Sequence, residues 1–470
     1  MMLFKVASRS IFRNTRRSLT TMLTIAIGTA ATLIFGAYAT FTFLGIETSS
    51  VQRFGHLTVY RDGYFDFGSG NPAIWGIPQY KTVLRDITTD PVLSRLMVIA
   101  TPIQSLAGIV ESSQSNESRT FLGTGFVPAD RERMKQWNEH GTASRGENGP
   151  AFDPSNPSEG ILGLGLARIL GLCAPLKLGN CPKLPAGAPS DGAVSTDVAG
   201  LPAQNFSDLV SRDAPSGLVR AHDYPRVDLL AATAGGAPNV VSLQVRQAEA
   251  QGVRELDDVY VGMQLPLAQQ LVYGRGEHRV TGIVIQLHRT EDMNAARERL
   301  AAIFASHHLA LEVRDFAELN PFYTQVVNLF SGIFSFISVI IGVVILFTVS
   351  NAMGMSVIER TDEIGTTRAL GVRRSGIRGQ FLLEGAMLGV LGATIGVILA
   401  LIAAYFVNRA GISYVPPAQA EPVPLRLYMF GAPLRIAEVW LTLTVVATLA
   451  ALLPANRAAK LQIVDALRHV

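Results

Sequence analysis

The sequence predicts an α-helical membrane protein, with four transmembrane helices and a large α+β extracytoplasmic domain between the first and the second. Three observations lead there. Charged residues make up 16% of the 470 positions and hydrophobic ones 48%, whereas a soluble globular chain has about 25% charged residues. The deficit is concentrated in four stretches without Asp, Glu, Lys or Arg, at 18–46, 319–358, 385–408 and 439–456. A helix needs about 20 apolar residues to cross the hydrocarbon, which the first three exceed and the fourth approaches. Basic residues then collect at alternate ends of these stretches, as the orientation of membrane spans requires.

Residues 1–17 form the first element. Leu3, Phe4, Ala7 and Ile11 cluster on one side of a helix, with Lys5, Arg9, Arg13 and Arg16 opposite. Such a helix suits the cytoplasmic headgroup layer; a plain basic flank without a helix is the alternative. No acid stands among Lys5, Arg9, Arg13, Arg16 and Arg17, which puts this end in the cytoplasm. The first transmembrane helix is placed at 18–46. Its apolar run is too long for the core of a signal peptide, and no small-x-small site closes it, so it reads as an uncleaved anchor.

Residues 47–322 are then extracytoplasmic, and at roughly 275 residues they exceed one domain of about 100–150. A strand is expected at 56–60 and a Gly/Pro/aromatic loop with Tyr64, Phe65, Phe67 and Trp75 at 63–80. A helix at 81–96 and β structure over 97–125, with a turn at 112–117, follow. Segments 138–160 and 182–220 carry loop composition, and 161–172 between them reads as a helix. Strands are expected at 238–247 and 258–286, interrupted by a short helix at 265–273. A helix at 290–306 and a strand at 309–313 complete a mixed α+β domain with an inserted lobe at about 125–255. Both cysteines of the chain, Cys173 and Cys181, fall in this region. Two cysteines alone in an exported segment suggest a disulfide and an oxidising compartment, free thiols being the alternative.

The second transmembrane helix is placed at 323–358. A charged linker at 359–384 with Arg360, Arg368, Arg373, Arg374 and Arg378 must lie outside the hydrocarbon, on the cytoplasmic side. The third span, 385–408, carries Gly385, Gly389, Gly392 and Gly396 along one face. Small residues there permit close helix approach, either within one chain or at a dimer seam. A short periplasmic loop at 409–438, a fourth span at 439–456 and a cytoplasmic tail at 457–470 complete the topology, with both termini cytoplasmic.

Several chemistries are excluded by what the residues lack. No Gly-x-x-x-x-Gly-Lys-Ser/Thr occurs, so no phosphate-cradling loop of that kind is present. The eight histidines show no metal-ligand spacing, no Gly-x-Ser-x-Gly elbow occurs, and no catalytic or cofactor-binding constellation is found. No span carries an ionisable group at its centre, as ion-coupled transporters usually do. The energy for any transport therefore comes from elsewhere.

The linker residues Glu363, Ile364, Gly365, Arg368, Ala369, Leu370 and Gly371, continued by Ile377, Phe381, Leu382, Glu384 and Gly385, resemble the MacB/FtsX/LolC-type permeases of mechanotransmitting ABC transporters. The likeness resumes at Pro454, Ala455, Arg457, Ala458 and Ala459 and at Ala466, Leu467 and Arg468; the family's usual Asp-Pro before the last three is absent, Gln462 and Ile463 standing instead. Gly55, His56, Leu57, Val59, Gly63 and Tyr64 look like the lipoprotein-releasing branch. The resemblance implies that 361–370 is a coupling helix docking in a separate dimer of ABC ATPase subunits, which bind the ATP and Mg. Glu363 and Arg368 would supply charged contacts, Ile364 and Leu370 an apolar knob, Gly365 close approach and Gly371 an end. It implies as partners a second permease chain, identical or paralogous, a periplasmic lipoprotein carrier or adaptor protein, and membrane lipid, but no nucleic acid. It places the protein in the bacterial inner membrane as a non-catalytic subunit. The leading function is extraction of lipoproteins or another amphiphile from the outer leaflet. The alternatives are a MacB-like tripartite efflux permease and an FtsX-like activator of cell-wall hydrolases, whose smaller periplasmic domains count against it.

Overall fold

The computed structural model describes residues 15–462, apart from 69, 113–114, 116, 143–151, 154–155, 180, 182–223, 275–277, 416–422 and 430. The amphipathic helix expected over 1–17 lies almost wholly outside this range, as do the loop expected at 182–220 and the residues from Ile463 onward. Two compact units result, one holding the apolar helices and one made of residues 46–321 with 415–423.

In chain order, helix α1 (Thr15–Phe54) leads to β1 (Leu57–Arg61), α2 (Tyr80–Thr89), β2 (Met97–Ser112), β3 (Ser118–Phe126), α3 (Pro128–Lys135), β4 (Glu159–Gly163) and α4 (Leu164–Ile169). Then come β5 (Arg226–Ala232), β6 (Pro238–Glu249), β7 (Tyr260–Gln264), α5 (Leu265–Tyr273), β8 (Gly282–Leu287), α6 (Met293–Ser306) and β9 (Leu311–Asp315). The helix read over 161–172 is thus corrected: residues 159–163 pair as a strand and only 164–169 are helical. A short apolar run with glycines does not declare its period.

The 16-residue β2 organises the domain. Its first half pairs with β8, which pairs with β1, and β1 with β9, all antiparallel. Helices α2 and α6 bury Tyr80, Val83, Ile87, Leu300, Ile303 and Phe304 with Leu57, Val59, Ile283 and Ile285 of these strands. The second half of β2 pairs with β3 on one side and β5 on the other. The ladder runs on through β7, β4 and β6 back to β5, so six strands close into a small barrel. Helix α5 packs Leu267, Ala268, Leu271 and Val272 with Leu106, Val110, Phe121, Leu229 and Leu243 of these strands. Gly125 of β3 makes room for this helix, because a Cβ there would lie 2.3 Å from that of Ala268. The segment 125–255 is therefore no separate lobe: its strands β4, β5 and β6 are completed by β2, β3 and β7. Cys173 and Cys181 form a disulfide, their Cα atoms 6.2 Å apart.

The last turns of α1, from Ile46, belong to this domain, which holds them by polar contacts. Gln52 Nε2 donates to the carbonyls of Lys135 and Trp137 at 2.9 and 2.8 Å, and Arg53 donates to that of Gln251 at 2.6 Å. Gln286 Nε2 donates to Val51 and Met134 carbonyls. Thr290 Oγ1 donates to Glu47 at 2.7 Å, and His140 Nε2 faces the same carboxylate oxygen at 3.4 Å. The amide of Leu287 donates to His56 Nδ1 at 2.9 Å, so the neutral ring carries its proton on Nε2 and presents it to Thr290 Oγ1 at 3.3 Å. That proton order excludes His56 as a base for the threonine.

Burial, with a smaller contribution from His140, lowers the His56 pKa to about 4. The neutral ring is thus favoured in the folded state. The stability it contributes is complete above pH 6.5 and is lost as pH falls from about 6.5 to about 4, some 3 kcal/mol in all. Glu249 acts in a lower window: burial raises its pKa, but Arg131 and Lys135 outweigh this and hold it at about 2, so its contribution fades only below about pH 4.5. Urea unfolding followed by tryptophan fluorescence between pH 7 and 5 should therefore show falling stability in the wild type and a flatter profile in His56→Asn. Equal slopes would contradict the assignment.

The second unit is built by α1 up to Gly45 with α7 (Pro321–Glu359), α8 (Thr361–Ala369), α9 (Arg374–Ala410), α10 (Pro433–Ala450) and α11 (Leu452–Lys460). Among the described residues four helices, α1, α7, α9 and α10 with α11, are long and apolar enough to cross a membrane. Helix α1 lies against α7, where Gly28 faces Ile341 and Ile345 and Gly36 faces Phe334. Phe35 stacks between Phe330 and Phe334. Along α7 the buried residues Ile345, Val349, Met353 and Val357 recur every fourth position, forming one stripe.

Candidate coupling site

The charged linker folds as helix α8 between two sharp breaks. Arg360 leaves helical geometry at φ −113° and ψ 18°, ending α7 and starting α8. Asp362 and Glu363 occupy the first turn of α8 and Arg368 the last, the placement that the helix dipole favours. At the far end the amide of Gly371 donates to the Arg368 carbonyl at 3.0 Å and that of Val372 to Thr367 at 3.3 Å. This is the doubly bonded helix stop that needs a left-handed residue, and Gly371 supplies it at φ +94°. Arg373, in extended geometry, then opens α9.

The two faces of α8 differ. Ile364 is buried among Val357, Ile377, Phe381 and Ala458, and Gly365 beside it is also buried. Asp362 and Glu363 are exposed. Leu370 is 87% exposed and Val372 40%, which makes an apolar tip. The expectation that Ile364 and Leu370 form one knob is corrected: Ile364 anchors the helix to the bundle and Leu370 is presented outward with Val372. Arg368 donates to the carbonyl of Leu461, which ties α8 to the end of the described chain.

A buried ion pair underlies the helix. Arg360 Nη1 lies 3.3 Å from Glu384 Oε2, with each side chain only 6% exposed. The pair joins the break between α7 and α8 to the third turn of α9. Nearby, Arg17 makes a two-point contact with Glu359, at 2.9 and 2.6 Å. Being partly exposed, that contact is worth about 0–1 kcal/mol. It also puts the basic flank of α1 and helix α8 at the same end of the bundle.

The four glycines of α9 all pack within the chain. A Cβ at Gly385 would meet Ala451 at 2.5 Å, and at Gly389 it would meet Ala447 and Thr444 at 3.0–3.2 Å. At Gly392 it would meet Ile25, and at Gly396 the carbonyl of Ala26 and Cβ of Thr29, both at 2.6 Å. One stripe thus seats α10 and α11 at one end and α1 at the other. Gly396→Leu should overpack this contact at a cost of about 1–3 kcal/mol, read as a lower midpoint of thermal aggregation in detergent. An unchanged midpoint would refute the packing role. Among the described residues no three His, Cys, Asp or Glu side chains are grouped to hold a metal.

Residues 332–463 match the family model described as FtsX-like permease C-terminal. The macrolide export ATP-binding/permease protein MacB of Shewanella sp. (strain W3-18-1) is 30% identical over 230 residues, covering 46% of this chain and 33% of that protein. MacB of Escherichia coli (strain K12) is 28% identical over 239 residues, 47% of this chain and 33% of that one. The ABC transporter permease YtrF of Bacillus subtilis (strain 168) is 46% identical over 74 residues, 16% of each chain. The chain thus spans about a third of the length of the MacB relatives it matches. A crystal structure of the periplasmic region of MacB from Actinobacillus actinomycetemcomitans aligns with 56% of this chain and 90% of that one at TM-score 0.32 and 10% identity. The span–linker–span unit is an FtsX-like permease domain. Over residues 332–463 the chain is thus similar to FtsX-like permeases, and over under half its length to proteins named MacB.

Proposed function

We propose that this chain is the membrane subunit of a mechanotransmitting ABC transporter in a bacterial inner membrane, with residues 46–321 on the extracytoplasmic side. The observation that carries the proposal is the geometry of α8. It is a short, capped helix with an exposed acidic and apolar surface, pinned through Ile364 and the Arg360–Glu384 pair to the bundle and followed back along the chain by a 39-residue helix. At 1.5 Å per residue α7 is about 58 Å long. In this reading the dimer of ABC ATPase subunits, which binds ATP and Mg outside these 470 residues, pushes on Glu363, Arg368, Leu370 and Gly371. The push moves α7, and the domain responds. A second permease chain completes the transporter. The disulfide in the domain supports the orientation, because such bonds persist in oxidising compartments.

The cargo in this proposal is an amphiphile. Lipoprotein extraction with a periplasmic carrier is one form. Efflux through an adaptor is the other, and it is favoured by the likeness to proteins named for macrolide export. Affinity purification from native membranes, with mass spectrometry of what is retained, tests the proposal. An ABC ATPase together with lipoproteins or a carrier supports extraction. An ATPase with an adaptor and outer-membrane channel supports efflux, and no ATPase overturns the proposal.

A further inference from the structure

Beside the last turn of α5 and the turn joining β5 to β6, the described residues leave an open cleft of about 430 Å³. Small-molecule sites span about 300–1,000 Å³. Three parts of the chain wall it, at 73–74, at 233–235 and at 272, 273 and 279. Hydrogen bonds fix these walls to one another. The Tyr273 hydroxyl donates to the Ala73 carbonyl at 3.0 Å, the amide of Ala234 donates to the Val272 carbonyl at 2.9 Å, and Ile77 bridges to Val280. Gly76 lets them meet, since a Cβ there would lie 2.7 Å from Tyr273 Oη and 2.9 Å from Arg279 Cβ. Ile74, which is 50% exposed, supplies apolar surface with Ala234 and Val272. Burial pushes the Tyr273 phenol up to about 12, and the Arg279 charge acts on it in the opposite sense, which puts the guanidinium near the phenol oxygen. Thr233 Oγ1 accepts from the amide of Ala237 at 3.1 Å, and its own proton has no acceptor among the described residues.

Apolar walls with one cation and one hydroxyl donor complement an apolar body that ends in an anion. The geometry points to a binding site for a small amphiphilic anion, its apolar part against Ile74, Ala234 and Val272 and its carboxylate or phosphate group on Arg279 and Thr233. Strand register places the cleft at one end of the domain. In the β1–β9 pair, Leu57 meets Asp315 at the end where the chain enters from Phe54 and leaves through Phe316, and Arg61 meets Leu311 at the other. Gly282 pairs with Tyr60, so Arg279 and Val280 lie beyond the Arg61 end, away from both connections to the apolar helices. That position suits a ligand that arrives through water. As a holding site for the amphiphile of the transport proposal the cleft rests on that reading. Binding itself needs neither ATPase nor nucleotide, so failure of the test below removes the cleft and leaves the transport proposal standing.

The test is photolabelling of the full chain in phosphatidylcholine nanodiscs with a diazirine-bearing octanoate, beside the matching neutral octanamide, followed by peptide mapping. Octanoate should label peptides holding Ile74, Ala234 or Val272 saturably. Arg279→Gln should raise its half-saturating concentration about tenfold or more, as loss of a charged hydrogen-bond donor does, and leave octanamide, the weaker ligand, unaffected. Arg226→Gln, at an exposed position on the opposite end of β5, should change nothing. Gly235→Trp should abolish the labelling by filling the cleft: a Cβ there meets only Thr233 Oγ1, at 3.9 Å, and the backbone is not left-handed, so this variant folds even if Arg279→Gln does not. Dissolved octyl phosphate and phosphatidylglycerol in the disc, added separately as competitors, distinguish the source. Displacement by octyl phosphate supports a ligand free in water, and displacement by phosphatidylglycerol supports a lipid headgroup. No saturable labelling, labelling confined to the apolar helices, equal saturation by acid and amide, or labelling indifferent to both Arg279→Gln and Gly235→Trp would overturn the inference.

Discussion

Glu384→Ala should be strongly destabilising at the α8 end of the bundle, costing about 3–5 kcal/mol, because it removes the carboxylate that faces the Arg360 charge in a site from which water is excluded. Both side chains are 6% exposed, and Arg360 occupies the break between α7 and α8. The loss is therefore structural as well as electrostatic: a guanidinium deprived of this carboxylate would shift, taking the start of α8 with it. Replacing both partners by apolar residues of similar size, Arg360→Met with Glu384→Leu, should recover most of the stability, since a buried pair often gains nothing over well-packed hydrophobic side chains. Thermal aggregation midpoints in detergent for the single and double variants check this. If Glu384→Ala behaves as wild type, the pair is not the anchor described.

The second large effect is functional. Glu363→Arg and Gly371→Trp should leave the protein inserted and abundant while separating ATP hydrolysis from its consequences. Glu363 lies in the exposed first turn of α8, where reversal of charge opposes both a docked partner and the helix dipole. At Gly371 the cause is backbone geometry: a Cβ would meet nothing within 4 Å, but φ is +94°. Holding an L-residue there costs about 1–2 kcal/mol, enough to loosen the stop that presents Leu370. Leu370→Asp should reproduce the defect without strain, by making the 87% exposed apolar tip polar. ATPase-dependent function measured beside membrane protein level separates these outcomes. Normal function in all three variants would remove the coupling role from α8.

How much of this was legible depended on whether the signal was local. The spans announce themselves by composition. The strands at 97–112 and 118–126 and the helix at 265–273 follow from short-range pattern. The strand at 159–163 did not, because Ile161 and Leu162 sit in a brief apolar run with glycines that fits either period. Closure of the barrel was hidden because it depends on β2 pairing at once with β3 and with β5, more than 100 residues later in the chain. The pair Arg360–Glu384 joins residues 24 positions apart. In sequence Arg360 reads as one of the basic residues that orient the linker, and only the turn between α8 and α9 brings it to its acid. Ile364 and Leu370 could have been separated in advance: six residues at about 100° each place them some 120° apart around a helix.

The central claim is that α8 passes nucleotide-driven motion to residues 46–321. Its most direct test is hydrogen–deuterium exchange on the permease reconstituted in nanodiscs with its co-purified ABC ATPase, compared with and without ATP and vanadate. The account predicts nucleotide-dependent changes in the amides of α8, α7 and the β1–β8–β9 sheet, with those in the sheet abolished by Gly371→Trp while nucleotide still binds. Exchange in the sheet that is indifferent to nucleotide, or unchanged by Gly371→Trp, would contradict it.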